Sequence, residues 1–226
     1  GNGHTITYTA NAPTSANLAS SLFVEDGAST RFNTSDSRGF EFRTGVALFE
    51  RVTGSLSNFT VSATCNSSMS IDRNTLFAGL TIVNMSTARI DGVNVSGLST
   101  TASVYSTIEQ TVAVYAGLVA FNNGEIVGSK VTGDIVATDA NYVGVQNIFV
   151  AGVVYNSTGV IRGCALEGNV ILDLQNTGGG QHQVAGIAVT TTRAGEFENN
   201  SIGANSKIEA KGVDGNSHKV YIAGFA

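Results

Sequence analysis

The sequence has few charged residues, and its positive residues are not clustered. Charged residues make up 13% of the 226 residues, against a usual share of about 25%. The net charge is -5, and only 12 residues are lysine or arginine. Because nucleic acids and anionic membranes bind concentrated positive charge, we expect neither of them among the partners.

Long hydrophobic runs and cysteine pairs are scarce as well. No stretch approaches the roughly 20 apolar residues that cross a bilayer, so we expect no membrane span in this segment. Cys65 and Cys164 are 99 residues apart, which is too far for a disulfide if sequence repeats stack in order. We expect two free thiols, with Cys164 buried in the core as a small hydrophobic residue.

Glycine is abundant and marks a repeated motif. A small residue, a glycine and an apolar residue recur together, with the glycines at Gly45, Gly79, Gly117, Gly152, Gly186 and Gly224. Successive glycines are 34, 38, 35, 34 and 38 residues apart, a period that is typical of solenoids. We predict one continuous solenoid over residues 44–226. Residues 1–43 fit the period poorly and are predicted to form an atypical first rung or an N-terminal cap.

The third repeat illustrates the predicted rung. Val112 to Phe121, Glu125 to Val131 and Asp134 to Thr138 read as strands, and tight turns separate them. Helix signals are nearly absent. The sequence therefore predicts an all-β protein, a parallel β-helix with about one three-stranded rung per repeat of 34–38 residues. Two shorter rungs per repeat are the alternative.

Equivalent positions in successive repeats predict how the rungs stack. One apolar position is expected to point inward, and its members are Leu56, Ile90, Ile126, Ile161 and Phe197. A second apolar position follows five residues later, and its members are Val61, Val95, Val131, Leu166 and Ile202. Since side chains alternate along a strand, the residue before each member of the second column should point outward.

Glycine and asparagine predict a corner and a side-chain ladder. Both residues tolerate left-handed backbone, so a bend is expected at the position shared by Asn58, Gly92, Gly128, Gly163 and Asn199. Asn84, Asn122 and Asn156 each follow a glycine-led strand. We expect these three side chains to hydrogen-bond to one another along the solenoid axis, as stacked asparagines do in cross-β structures.

Seven asparagines stand in the acceptor sequence for N-glycosylation. The candidates, in order of preference, are Asn94, Asn58, Asn199, Asn33 and Asn66. Asn84 and Asn156 are poorer acceptors if they form the ladder. These motifs indicate a secreted product, although a chain rich in Asn, Ser and Thr also generates them by chance.

The carboxylates and histidines do not form a catalytic or metal-binding pattern. Glu125 and Glu196 share a column, but two rungs of about 4.8 Å would place them roughly 10 Å apart, too far for a retaining glycosidase pair and marginal for an inverting one. His4, His182 and His218 are isolated from one another, and the spacings of zinc sites are absent. We expect no catalytic residue, no cofactor and no metal.

Two repeats share a longer pattern. Ala116 to Ile126 reads Ala-Gly-Leu-Val-Ala-Phe-Asn-Asn-Gly-Glu-Ile, and Ala151 to Ile161 is similar. The two copies continue into Gly133-Asp134-Ile135 and Gly168-Asn169-Val170. These residues resemble the motif of the GLUG-repeat family, Gly-Leu-Val-x-x-Asn-x-Gly-x-Ile. The resemblance implies a right-handed parallel β-helix on large surface or secreted proteins, including adhesins, and it carries over no catalytic residue.

These observations favour a structural function. Because the chain starts at Gly1 with no start methionine or signal peptide, we interpret it as cut from a longer protein. The expected function is a non-enzymatic structural or adhesive segment of an extracellular or cell-surface glycoprotein, acting as a rigid spacer or filament unit. Further solenoid chains, including copies of itself, and surface glycans are the expected partners. The alternative is a carbohydrate-binding or polysaccharide-cleaving β-helix, with Tyr142 and Asp139 as candidates.

Overall fold

A computed structural model of the protein describes residues 3–10, 34–35, 41–42, 44–65, 69–70, 74–100, 104–105, 110–139, 145–175, 179–192, 195–212 and 218–225. Within these ranges every regular element is a β-strand, and the strands form a solenoid of parallel sheets. The prediction of an all-β solenoid is confirmed.

Successive turns of the chain build four parallel sheets. Sheet 1 contains β4 (Thr44–Val46), β9 (Thr75–Ala78), β14 (Gln110–Ala116), β19 (Val145–Ala151), β24 (Gly180–Ala185) and β29 (His218–Ala223). Sheet 2 contains β5 (Phe49–Val52), β10 (Thr81–Asn84), β15 (Val119–Asn122), β20 (Val154–Ser157) and β25 (Ala188–Thr191). Sheet 3 contains β6 (Ser55–Ser57), β11 (Arg89–Asp91), β16 (Glu125–Val127), β21 (Val160–Arg162) and β26 (Phe197–Glu198).

Sheet 4 closes each turn, and two small strand pairs lie beside the four sheets. Its first strands are β1 (Thr5–Ala10), β7 (Thr60–Cys65) and β12 (Asn94–Thr100). Later turns use two shorter strands each: β17 (Lys130–Val131) and β18 (Ile135–Asp139), β22 (Ala165–Leu166) and β23 (Val170–Leu174), β27 (Ser201–Ile202) and β28 (Ile208–Lys211). The small pairs are β8 (Met69–Ser70) with β13 (Val104–Tyr105), and β2 (Thr34–Ser35) with β3 (Glu41–Phe42).

Bends divide the first two strands that were predicted for the third repeat. The predicted strand from Val112 to Phe121 is split into β14 and β15 by a bend after Ala116. The predicted strand from Glu125 to Val131 is split into β16 and β17. Leu118 and Ser129, which lie in the two bends, are fully buried. Because buried residues continue through the bends, the hydrophobic pattern does not reveal where the strands break.

The two predicted apolar columns run along the inside of the solenoid. Ile90 pairs in register with Leu56 and Ile126, and the pairing continues to Ile161 and Phe197. Sheet 4 aligns the second column in the same way, through Val61, Val95, Val131, Leu166 and Ile202. Val61 and the middle members of both columns are fully buried, and Leu56, Phe197 and Ile202 pack partly buried against the same core. Burying one such aliphatic side chain contributes about 1.5–3 kcal/mol.

The corner between sheets 3 and 4 has left-handed backbone in every turn, as predicted. The φ angles are 56° at Asn58, 59° at Gly92, 54° at Gly128, 61° at Gly163 and 53° at Asn199. Glycine adopts this conformation without steric cost, and asparagine is one of the few other residues that tolerates it. The corner therefore explains why these two residue types recur at one position.

The motif glycines bring successive turns into contact at the bend between sheets 1 and 2. A Cβ atom added at Gly79, Gly117, Gly152 or Gly186 would collide with the carbonyl oxygen of the motif glycine in the next turn. Main-chain hydrogen bonds join the same bends, such as the N–H of Gly117 donating to the carbonyl of Ala151 at 3.0 Å. Glycine is required here by this close approach.

The first repeat differs from the predicted alignment. Gly45 was taken as its motif glycine, but it pairs in register with Leu76, three residues before Gly79. The bend of this turn instead follows Val46, with Ala47 and Leu48 leading into β5. The Thr-Gly-Val triplet therefore matches the motif in composition while lying inside a strand.

The last residues of β10, β15 and β20 form a buried polar ladder, and one of them differs from the prediction. The side-chain N–H of Asn84 donates to Oδ1 of Asn122 at 2.8 Å, and Nδ2 of Asn122 donates to Oγ of Ser157 at 3.0 Å. Asn156 was predicted as the third member, but it pairs with Phe121. Counted from the motif glycine, Asn84, Asn122 and Ser157 are each the fifth residue and Asn156 is the fourth. Because side chains alternate along a strand, a shift of one residue places the side chain on the opposite face.

A second apolar cluster lies apart from the inner core and receives a residue from the N-terminal region. Phe42 is fully buried, and its ring meets those of Phe121 and Tyr155 edge to face, with centroids 5.8 and 6.2 Å away. The N-terminal region also contributes β1, which pairs with β7 as an added strand of sheet 4. The other residues of the predicted cap, 1–2, 11–33, 36–40 and 43, lie outside the described residues.

We expect Gly117→Ala to lower the free energy of unfolding by about 3 kcal/mol, because the new methyl group would force neighbouring turns apart. Urea unfolding followed by circular dichroism measures the change. Gly54→Ala is the control, since a Cβ atom there would meet nothing within 4 Å. Similar losses in the two variants would contradict the proposed role of close turn contact.

We also expect Val52→Asn to extend the polar ladder. Oδ1 of Asn84 is buried and lacks a hydrogen-bond partner among the described residues, and Asn84 pairs in register with Val52. A new asparagine amide at residue 52 could donate to this oxygen. Val52→Asn should therefore cost at least about 1 kcal/mol less than Val83→Asn, which buries an amide away from the ladder. Equal costs in the same urea experiment would refute the extension.

Candidate functional site

The outer face of sheet 3 carries paired charges. Arg89 donates to Asp91 at 2.9 Å and to Glu125 of the next turn. Hydrogen bonds to Asp91, and next to Glu125, raise the pKa of Arg89 above its usual value. The three side chains are nearly half exposed, and exposed ion pairs of this kind contribute little to stability because solvent screens them.

A second set of ion pairs lies near the C-terminal end of the same face. Arg162 donates to Glu196 at 2.6 Å and to Glu198 at 3.2 Å. Glu125 pairs in register with Val160, and Glu196 precedes the partner of Ile161, so Val160 occupies the turn between the two acids. Each of the two carboxylates is therefore held by a different arginine. Sequence reasoning missed both arginines as partners, although each lies one turn before its acid.

The structure changes the order of the glycan-acceptor candidates. Asn58 and Asn199 are exposed at the corner. Asn94, the preferred candidate from the sequence, is only partly exposed, and its Oδ1 accepts a hydrogen bond from Oγ1 of Thr132 at 3.1 Å. The two corner asparagines therefore offer the more accessible side-chain amides.

The remaining candidate acceptors differ in their placement. Asn84 is fully buried and Asn156 is 6% exposed. Asn33 and Asn66 lie outside the described residues. Both asparagines that the sequence ranks last are therefore enclosed by the fold, one in the ladder and one beside it.

The two histidine side chains that the structure describes, His4 and His182, lie in different turns of the solenoid. His4 is exposed, and the side chain of His218 lies outside the described residues. His182 is fully buried, and its Nδ1 accepts a hydrogen bond from the backbone N–H of Ile148 at 3.3 Å. Within the described ranges no three His, Cys, Asp or Glu side chains are grouped as metal ligands. Tyr142 and the side chain of Asp139, the carbohydrate-site candidates, lie outside the described residues.

Cys164 is enclosed in the core as a free thiol. Its side chain is fully buried, and Sγ lies 3.6 Å from the carbonyl oxygens of Ile126 and Arg162. Burial raises its pKa to about 11. Since the thiolate is the nucleophile, this environment makes Cys164 unreactive near neutral pH. The side chain of Cys65 lies outside the described residues.

The two ends of the solenoid differ in exposure. Val46 and Ile222 are the first and last members of one inward column of sheet 1, joined in register through four intervening turns. Val46 is 6% exposed, whereas Ile222 is 54% exposed. Ile222 is exposed because β29 has a paired strand on only one side among the described residues.

Comparison of the chain with protein-family models, with curated proteins and with solved structures finds no match. The resemblance to GLUG repeats therefore stays a prediction. In the part of the chain that the structure describes, no helix has the length and apolar character needed to cross a membrane.

We expect Cys164 to resist a thiol reagent in the folded protein. In a Cys65→Ser background at pH 8, labelling should be at least about 100-fold slower than in urea, because burial excludes the reagent and keeps the thiol protonated. Absorbance from Ellman's reagent measures the rate. Ser86→Cys, at an exposed turn position, is the positive control in the same background. Fast labelling of folded Cys164 would contradict the buried placement.

Proposed function

We propose that this chain is a structural, non-enzymatic segment of a large extracellular or cell-surface glycoprotein, where it acts as a rigid spacer or filament unit. The observation that carries the proposal is the continuous stacking of turns. Inward columns extend along the solenoid, and parallel sheets join each turn to the next. Because each turn rests on its neighbours, such a structure fixes the distance between its two ends.

The surface chemistry supports a structural use over catalysis. Glu125 and Glu196, the carboxylates with matching positions, are each held by an arginine in a half-exposed ion pair. Two acceptor asparagines, Asn58 and Asn199, are exposed at the corner. The similarity of two repeats to the GLUG motif favours the same function, since that family occurs on surface and secreted proteins.

The proposal predicts that the parent protein is displayed on cells and carries N-glycans. An antibody raised against residues 1–226 should label intact producing cells without permeabilisation. Treatment with peptide N-glycosidase F should lower the mass of the purified parent protein. Labelling that requires permeabilisation, or an unchanged mass, would count against the proposal.

A separate assay tests the carbohydrate alternative. The purified segment is incubated with a panel of polysaccharides, and reducing ends are measured together with binding to a glycan array. We expect no cleavage; binding without cleavage would identify a surface-glycan partner of an adhesive segment and would not indicate an enzyme. Cleavage that is lost in Glu125→Gln or Glu196→Gln but kept in Glu167→Gln, a surface acid paired with Lys130, would establish an enzyme instead.

A further inference from the structure

An imidazole occupies a core position in sheet 1. His182 is 0% exposed, and it pairs in register with Val220, which packs against the inner core. On its other side it contacts Ile148 of the preceding turn, which is buried in that core. Ile148 in turn pairs with Ala113, another buried core residue. A titratable side chain therefore interrupts an inward column of apolar residues.

Side chains replace part of the main-chain pairing between β19 and β24. β14 pairs in register along the whole of β19, whereas β24 pairs with β19 in register only over residues 149–151. Just before these residues, Nδ1 of His182 accepts the N–H of Ile148 at 3.3 Å. Oδ1 of Asn147 accepts the N–H of Gln181 at 2.8 Å. We call these two hydrogen bonds the side-chain joint.

The side-chain joint requires a neutral imidazole. Because Nδ1 of His182 accepts a hydrogen bond, it carries no proton, and the ring proton is on Nε2. A second proton would bind Nδ1 and would set one N–H against the N–H of Ile148. The resulting cation would also be deprived of water in the buried column, which disfavours the charged form. Protonation is therefore incompatible with the closed joint.

Charged groups on the neighbouring strands do not face this column. Among the strands that pack against β24, β19 and β25 carry no ionisable side chain. The ionisable residues of β23, β28 and β29 whose side chains are described are Asp173, Glu209, Lys211, Lys219 and Tyr221. They alternate with inward apolar residues of the same strands, so they lie on the outer face. The side chains of His218 and Asp139 lie outside the described residues.

We propose that His182 makes the contact between β19 and β24 a pH-sensitive switch, which is closed near neutral pH and opened by acid. When the two strands separate, the imidazole can take up a proton near the ordinary histidine pKa of about 6.5. The open state then binds more protons than the closed state. Opening therefore becomes more favourable as the pH falls below about 6.5, by up to about tenfold per pH unit.

An open joint would release the fifth turn while the earlier turns stay stacked, because each turn contacts only its neighbours. A rigid spacer would then lose stiffness at one defined place in acidic surroundings. The inference goes beyond the proposed function and does not depend on location outside the cell or on glycans. Its failure would leave the spacer function standing.

Urea unfolding at pH 7.5 and pH 5.0 tests the linkage. The unfolding equilibrium constant of the wild type should rise at least about tenfold more between these pH values than that of His182→Asn. The asparagine Oδ1 can accept the N–H of Ile148 but takes up no proton. His4→Asn is the matched control, since His4 is exposed, and it should keep the wild-type dependence. A smaller difference, or the same change in His4→Asn, would overturn the proposal.

Hydrogen exchange measured by mass spectrometry at the two pH values tests where the chain opens. After correction for the intrinsic exchange rate, amides of β19 and β24 should exchange faster at pH 5.0, whereas those of β9 should not. An equal increase in β9 would refute a local switch.

Nitrogen NMR of the wild-type imidazoles gives a readout that needs no variant. Nδ1 of His182 should stay unprotonated for as long as β24 remains protected from exchange. A protonated His182 ring in a fully protected β24 would also overturn the proposal.

Discussion

The close approach of successive turns at the motif glycines sets the conditions for the rest of the structure. At this bend the backbone of one turn lies directly against the backbone of the next, with no room for a side chain. Because adjacent strands are about 4.8 Å apart, the paired strand positions of one turn then meet their equivalents in the next. The inner core, the corner and the polar ladder all follow from that alignment.

Stacking of equivalents also decides how polar groups are accommodated. Inside the solenoid, Asn122 is satisfied because it has an asparagine on one side and a serine on the other. Outside, Arg89 and Arg162 each meet a carboxylate of the following turn. The same spacing between turns therefore brings together the buried amides and the surface charges. Positions on the inner face form the amide contacts, and positions on the outer face form the ion pairs.

Much of the fold could be predicted because stacked positions impose strong residue preferences. The inward columns require apolar side chains, and the corner requires glycine or asparagine, so both leave regular marks in the sequence. Strand breaks were not predictable in this way, because Leu118 is buried at a bend just as its neighbours are in strands. Asn156 and Gly45 were misplaced by residue type alone, which does not reveal a shift of one to three positions.

The candidate site was less predictable, because exposure and side-chain partners depend on neighbouring turns. Asn94 was ranked first as a glycan acceptor because of its outward position, but Thr132 engages its side chain from the following turn. The predicted columns already align Arg89 with Glu125 and Arg162 with Glu198. The ion pairs were missed because a column gives the register of the strands and not the direction that a long side chain takes. Ile222 is more exposed than Val46 because β29 is the last described strand of sheet 1, and this difference has no local sequence signal.

The dependence of each turn on its two neighbours also bears on how such a protein can evolve. Duplication or loss of one whole turn keeps every column aligned, so the length can change in steps of about 4.8 Å without the design of a new core. Insertion of one residue within a strand instead reverses the side chains that follow it. In this architecture the length therefore evolves by whole repeats. Substitutions within a repeat are constrained by the equivalent residues in the neighbouring turns.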